Sequence, residues 1–474
     1  MAQTRSRRAL VAAVVLAIVS LLVTFAARPG GTNARATGQA IKSGGRGIAH
    51  RPGGPAIRSA SAPRALAFET GLPSAEPTIG VDRSGDVYTV AFQSNTRIDV
   101  LRSSDQGRKW KVISPQFGSR NAQLLSFDPY VYLDDRTDRL FTIDLTVACS
   151  YLSYTDDDGK SWTTNPLACG VPVNDHQTLF AGPPVDSPTV GYRNIVYYCF
   201  NDVLSSTCTK SLDGGITFSP TGAPAYPGFD PAAGNDLCGG LHGHGYVDRR
   251  GWVFIPKGHC GQPWLSISKD EGRSWTRVQV ARNGVAHHEA SVGVDRAGNI
   301  YYLWVAADRL PYLSVSKNNG KSWTKPVMVG APRVNETNLP SLAVGRRGAV
   351  AVAYYGTTNG PGAPFKNEVE CDAITSCPDP KAYDKSTWNA YVTVSNRALS
   401  RSPLLYSTTV NDPGQPLIKG TCGPGRCKAA YDFIDVVIDR RGTAWTAIVD
   451  GCLGQTCGSS LGVVGHIVGG PRLR

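Results

Sequence analysis

From about residue 66 onward the chain alternates apolar and polar residues at every second position, in runs of four to seven broken by tight turns. The run from Glu76 to Tyr88, EPTIGVDRSGDVY, reads as strand, turn, strand. It recurs as DPYVYLDDRTDRLF from Asp128, HGYVDRRGWVF from His244 and EASVGVDRAGNIYY from Glu289. Weaker copies are PSLAVGRRGAVAVAYY from Pro340 and FIDVVIDRRGTAW from Phe433, and a divergent copy, SPTVGYRNIVYY, starts at Ser187. A second unit follows about twenty residues behind each hairpin, with the form Ser/Thr-x-Asp-x-Gly-x-x-Trp. Its copies begin at Ser103, Thr155, Ser211, Ser268 and Ser316, with Phe218 for Trp in the third and Asn318 for Asp in the fifth. Asp followed two residues later by Gly makes a side-chain-capped turn, so each copy predicts another hairpin.

A hairpin plus a capped hairpin gives four strands, and the pair repeats with a period near fifty residues. The expected fold is therefore all-β: a seven-bladed β-propeller over residues 66–474, with a six-bladed ring as the alternative. The sixth blade lacks the capped turn (VTVSNRALS from Val392), and the seventh draws strands from Phe433, Thr443 and Leu461. Its outermost strand is expected from Leu66–Thr70, which would close the ring.

The capped turns resemble the Asp-box (BNR) repeats of the sialidase superfamily of propellers. The resemblance implies that each joins the third and fourth strands on the face away from an active site. Asp105, Asp157, Asp213 and Asp270 then hold turns and do no chemistry. Sialidases themselves are six-bladed and open the first innermost strand with Arg-Ile-Pro, whose Arg grips the substrate carboxylate. Here the stretch is Ala75-Glu76-Pro77, so Ala75 stands where that Arg belongs and no sialidase activity is expected.

Composition agrees with many short strands: Gly numbers 52, Trp and Tyr together 28, and charged residues are 18%. The net charge of +12 is misleading about partners. Residues 1–65 hold ten Lys/Arg and no Asp or Glu, leaving 39 basic (49 − 10) against 37 acidic residues downstream. A part near +2 predicts no basic face and no nucleic-acid partner. Arg5, Arg7 and Arg8 precede an uncharged run from Ala9 to Ala27, which reads as an export signal or an N-terminal membrane anchor over residues 1–27. Either way the rest lies outside the cytoplasm, and the membrane is met only through this segment. Residues 28–65, rich in Gly, Ala, Arg and Pro, read as a disordered linker.

Twelve Cys between Cys149 and Cys457 read as disulfides in an exported protein. Adjacent pairing (149–169, 199–208, 238–260, 371–377) is the simplest scheme, with 422, 427, 452 and 457 left open. On the propeller plan all twelve fall toward the face where the innermost strands begin. Stepping back six positions from the Asp of each VDR-type turn gives Glu76, Asp128, His242 and Glu289 at the mouth of the axis. Asp175, His176, His244, His287, His288 and Asp432 lie nearby. Facing carboxylates serve as acid, base or nucleophile at a sugar, which names Glu76, Asp128, Glu289 and Asp432 as catalytic candidates. His176 and Tyr431 are candidate substrate contacts, Tyr431-Asp432 having a faint resemblance to the family's nucleophilic Tyr. His242, His244 and His288 are candidate ligands for a divalent metal at the axis. The expected function is an extracytoplasmic sialidase-like propeller that binds or hydrolyses an extracellular glycan. The alternative is a non-catalytic envelope scaffold that recognises a protein partner.

Overall fold

The computed structural model describes residues 40–41, 43–92, 98–115, 128–145, 150–167, 174–202, 205–234, 238, 240–286, 289–361, 385–420, 432–453 and 456–474. The apolar run 9–27 lies outside these. Among the described residues no helix is long and apolar enough to cross a membrane.

Seven antiparallel sheets form a seven-bladed propeller. The innermost strands are Ile79–Val81, Pro129–Leu133, Asp175–Gly182, Tyr246–Val247, Ser291–Val294, Glu336–Val344 and Asp435–Ile438, one for each of blades one to seven. Blades one to five run outward in sequence order, whereas the outer edges of the sixth and seventh take strands from the N-terminal part of the chain. In the seventh, Asp435–Ile438, Ala444–Leu453 and Thr456–Val468 are completed by Arg64–Pro73. The ring thus closes with the strand expected from Leu66–Thr70, extended at both ends. Packing between blades is aliphatic and aromatic. Between blades four and five, for example, Phe254 and Leu265 meet Val292, Ile300 and Tyr302, all 5% exposed or less. Asp435 also ties the closure, accepting from Ile79 N of blade one at 3.1 Å and from Ser341 Oγ of blade six at 3.3 Å.

The capped turns sit between third and fourth strands. In blade four, Asp270 Oδ1 accepts from Ser268 Oγ (2.8 Å) and from Ser274 N (3.0 Å), while Gly272 N donates to Ser268 Oγ at 2.7 Å. Gly272 has φ 85°, a left-handed value that costs a glycine little. Two of the Trp that end the motif reach back one blade: Trp275 Nε1 donates to Ala223 O at 3.0 Å, and Trp162 Nε1 to Ile113 O at 2.8 Å.

Two expectations are corrected. The divergent copy at Ser187 is not an innermost strand. That strand is Asp175–Gly182, and residues 183–194 are the connection to Ile195–Asn201. The connection curls around the buried Glu271 carboxylate, whose Oε1 accepts from the backbone N of Val185, Asp186 and Ser187 at 2.9–3.1 Å. The composition of residues 28–65 also misleads, because residues 43–65 are packed on the propeller. Ile48–His50 pairs with Leu405–Thr409 as a fifth strand on blade six, and His50 Nε2 is 2.7 Å from Ser407 Oγ.

Disulfides join Cys199–Cys208, Cys238–Cys260 and Cys452–Cys457, all on the face where the innermost strands begin. The other six Cys lie outside the described residues. Disulfides are consistent with an extracellular location.

Because Ala67 in the closing strand is 1% exposed, Ala67→Asp should lower unfolding stability by about 2–4 kcal/mol. The check is a urea titration followed by Trp fluorescence.

Candidate functional site

Counting back five residues from the last residue of each innermost strand reaches Glu76, Asp128, Gln177, His242, Glu289, Leu339 and Phe433. Equivalent positions in successive blades face the axis, so this ring is the structural form of the six-step alignment in the sequence. The backbone bends sharply here. Glu76, His176 and Leu339 have φ of 48°, 49° and 52°, costly values for residues with side chains. In blades three and six the bend coincides with a register shift, between Asp175 and Thr178 and between Asn338 and Ser341. The blade-three bulge lets His176 reach over the axis.

His176 of blade three, Glu289 of blade five and Asp432 of blade seven meet there. One donor atom from each lies within 4.8 Å of the others, and all three residues are buried. His176 Nε2 is 2.9 Å from Glu289 Oε1, an ion-pair contact out of line for a hydrogen bond. The cluster is braced from two further blades. His176 N donates to Asp128 Oδ2 at 3.3 Å, and Asp432 N donates to Glu76 Oε1 at the same distance. Thus Glu76, Asp128, His176, Glu289 and Asp432 are brought together, the first two through the backbone of their neighbours.

His242 and His244 flank this centre instead of joining its donor set. The His242 ring is 6.1 Å from that of His176, and the His244 ring is edge-on to Phe433 and Tyr130 at 4.9 and 5.4 Å. The close approach of blade four to blade five is possible because residue 243 is glycine. A Cβ there would lie 1.7 Å from Ala290 O. Among the described residues, the donors close enough together to hold one ion at the axis are His176, Glu289 and Asp432, with His242 and His244 beside them. His288 and Tyr431 lie outside the described residues, and Ala75 is buried.

The three imidazoles carry different charges for a physical reason. Burial disfavours charge on all of them. For His176 the Glu289 carboxylate, supported by Asp432 and Asp175, overcomes burial and raises the pKa to about 9. For His242, burial and then the charge on His176 push it down to about 3, and the same two causes bring His244 to about 4. His242 Nδ1 donates to Gly243 O at 2.9 Å, which turns its Nε2 lone pair inward. That nitrogen, His244 Nε2 and His176 Nδ1 are buried without a partner among the described residues. Such nitrogens are what a bound ligand or cation would satisfy.

Sequence reasoning missed Lys257, which is 2% exposed in the second strand of blade four and bridged through its backbone to His242. Burial lowers its pKa to about 7 against the pull of Asp202. The only available signal was a lysine following the apolar run Val253–Pro256 in the stretch VFIPKGH. A second donor group, Cys238, His259 and Cys260, is a disulfide with a histidine held by Asp230 at 3.1 Å.

No protein family matches the chain, and no curated protein does. Among solved structures, the α-L-arabinofuranosidase Arb93A of Fusarium graminearum is similar at 12% identity over 66% of this chain and 93% of its own, with a TM-score of 0.40. The Hadza microbial sialidase Hz136 gives 16% over 64% and 68%, with a TM-score of 0.41. The Aleuria aurantia lectin gives 11% over 72% and 97%, with a TM-score of 0.42.

The raised His176 pKa has a signed consequence. The stability it confers is complete below about pH 6.5 and is lost as pH rises toward about 9. His242 and His244 act in the opposite sense, since stability from keeping them neutral is lost as pH falls below about 6.5 toward 3–4. Urea titrations of chelator-treated protein across this range should show both limbs. Glu289→Gln should flatten the alkaline one.

Proposed function

We propose that the propeller binds an extracellular carbohydrate at the axial end, with a divalent cation held by His176, Glu289 and Asp432 at the centre of the site. The observation that carries this reading is the meeting of three donors from three non-adjacent blades within 4.8 Å. One imidazole and two carboxylates form a borderline-to-hard donor set, suited to Zn²⁺, Mn²⁺ or Ca²⁺. The unpartnered nitrogens of His242 and His244 beside it fit further ligation or hydrogen bonding to ligand hydroxyls. When bound, such a cation polarises a sugar oxygen or a water. The chain's own residues have separate tasks. Glu76 and Asp128 hold the backbone of Asp432 and His176, and the bend at His176 aims its ring at the axis. In a site working without the cation, Asp432 and Glu289 are the carboxylates available for proton transfer to a bound sugar.

One observation favours the scaffold alternative: His176, Glu289 and Asp432 are each 6% exposed or less. In that reading the centre only locks the blades together, and the disulfide-stapled face recognises an envelope protein.

The test is elemental analysis of the purified protein together with a glycan array run with and without chelator. The expected result is one cation per chain, and glycan binding that disappears with chelator and in His176→Ala. Cation at about 100 times its Kd should add about 2.7 kcal/mol of stability to the wild type. Absence of bound cation, with no stabilisation by Zn²⁺, Ca²⁺ or Mn²⁺, removes the cation. Absence of any bound glycan in either condition removes the carbohydrate reading and leaves the scaffold.

A further inference from the structure

The near-neutral sum of charges over the folded part conceals a segregation that the sequence reading did not anticipate. In the turn between first and second strands the Asp faces inward and is used up as a cap. Asp439 Oδ1, for example, accepts from Arg441 N (3.0 Å) and Thr443 N (2.7 Å), and its Oδ2 accepts from Trp445 Nε1 (3.1 Å). The Arg that follows is left pointing away. Four blades place an Arg directly after that Asp, namely Arg83, Arg249, Arg296 and Arg440; blade six has Arg346 after Gly345, and blade two has Asp135 there with Arg136 next, while Arg83 pairs with Asp138 at 2.9 Å. These turns lie on the face opposite the His176 centre, around the other end of the axis.

At blades six and seven the feature becomes a pocket. Residues 471–474 are laid between the two turns and fixed there by backbone bonds. Arg346 N donates to Leu473 O at 2.7 Å, and Leu473 N donates to Gly442 O at 3.2 Å. The Leu473 side chain is 1% exposed. Only glycine leaves room for this segment. A Cβ at Gly345 would stand 2.0 Å from Leu473 O, and one at Gly442, which has φ 82°, would stand 2.7 Å from Arg474 N. The result is a cavity of about 640 Å³ lined by Arg440, Arg441, Arg472 and Arg474. Arg440 Nη2 donates to the backbone O of Asp135 at 2.6 Å, and Arg474 Nη2 lies 3.4 Å from its carboxylate, both reaching across to blade two. The Arg441 and Arg472 side chains make no hydrogen bond or ion pair among the described residues.

We propose that this cavity is a second binding site, for a ligand bearing phosphate or sulfate esters. Arg440 and Arg474 are drawn toward Asp135, which leaves the guanidinium groups of Arg441 and Arg472 for a tetrahedral oxyanion that accepts the forked bonds they offer. The volume is that of a saccharide or headgroup carrying such a group, well beyond a lone ion. The frame is built before the ligand arrives, because residues 471–474 are locked by the backbone bonds and by the buried Leu473. The site is independent of the axial centre on the other face.

The experiment is calorimetric titration of the full chain at low ionic strength with four probes: inorganic phosphate, a sulfated oligosaccharide, its desulfated form, and vesicles containing an anionic phospholipid. The variant is Arg441→Ala/Arg472→Ala, which breaks no hydrogen bond or ion pair among the described residues and should leave the melting temperature unchanged. Binding of the sulfated oligosaccharide or of the vesicles, weakened about tenfold or more in the variant and by added salt, supports the site. Preference between these two probes tells a glycan source from a lipid one. Binding of inorganic phosphate alone, equal binding of the desulfated form, unchanged affinity in the variant, or no binding of any probe overturns it.

Discussion

The structure depends on one pairing, that of Arg64–Pro73 with Thr456–Val468. It joins parts of the chain nearly 400 residues apart and completes the seventh sheet. Loop-closure entropy grows only with the logarithm of length, so the separation itself is a modest cost. What the pairing gains is the loss of two open ends: the seventh blade obtains its outer strand, and blade one obtains a neighbour at Asp435. Once the ring is shut, the position of every innermost strand is set by all the others, and no blade can move its axial residues away from the centre independently.

That constraint explains the chemistry at the axis. Glu289 and Asp432 are forced into proximity in a buried place, where two like charges are unfavourable. His176, raised by the same carboxylates, is the chain's own answer to this. The answer leaves one ion pair poorly aligned and three imidazole nitrogens without partners among the described residues. A core under selection for stability alone would more simply fill this volume with apolar side chains, as Leu339 and Phe433 do at the equivalent positions of blades six and seven.

Much of this architecture was legible because it is periodic. The VDR-type turn fixes where each innermost strand ends, and counting back from it found Glu76, Asp128, His242 and Glu289 without coordinates. Where periodicity lapses, reading failed. The stretch after Ser187 imitates a strand by composition, while the true one, DHQTLFAG from Asp175, ends in Gly-Pro-Pro and lacks the turn. Which axial residues actually touch was hidden too, since that depends on a bulge and a left-handed bend in blade three that shift His176 inward. The arginine face escaped for a different reason. Net charge counts Asp439 and Arg440 as cancelling, although one is turned into its own loop and the other toward solvent.

The segment before the closing strand has a mechanical meaning. Ala40 and Ser43 bridge to Phe68 and Asn411, Ile48–His50 lies along blade six, and Ala49 and Ile57 exchange hydrogen bonds as the chain doubles back toward Arg64. A tug on the chain ahead of residue 40 is therefore borne first by these short pairings, of which Ala40 with Phe68 and Ile41 with Ala67 are made to the outer edge of the strand that shuts the ring. They act as a strain relief of the kind fitted to a cable, able to yield and re-form before the longer pairing of that strand with Thr456–Val468 has to part.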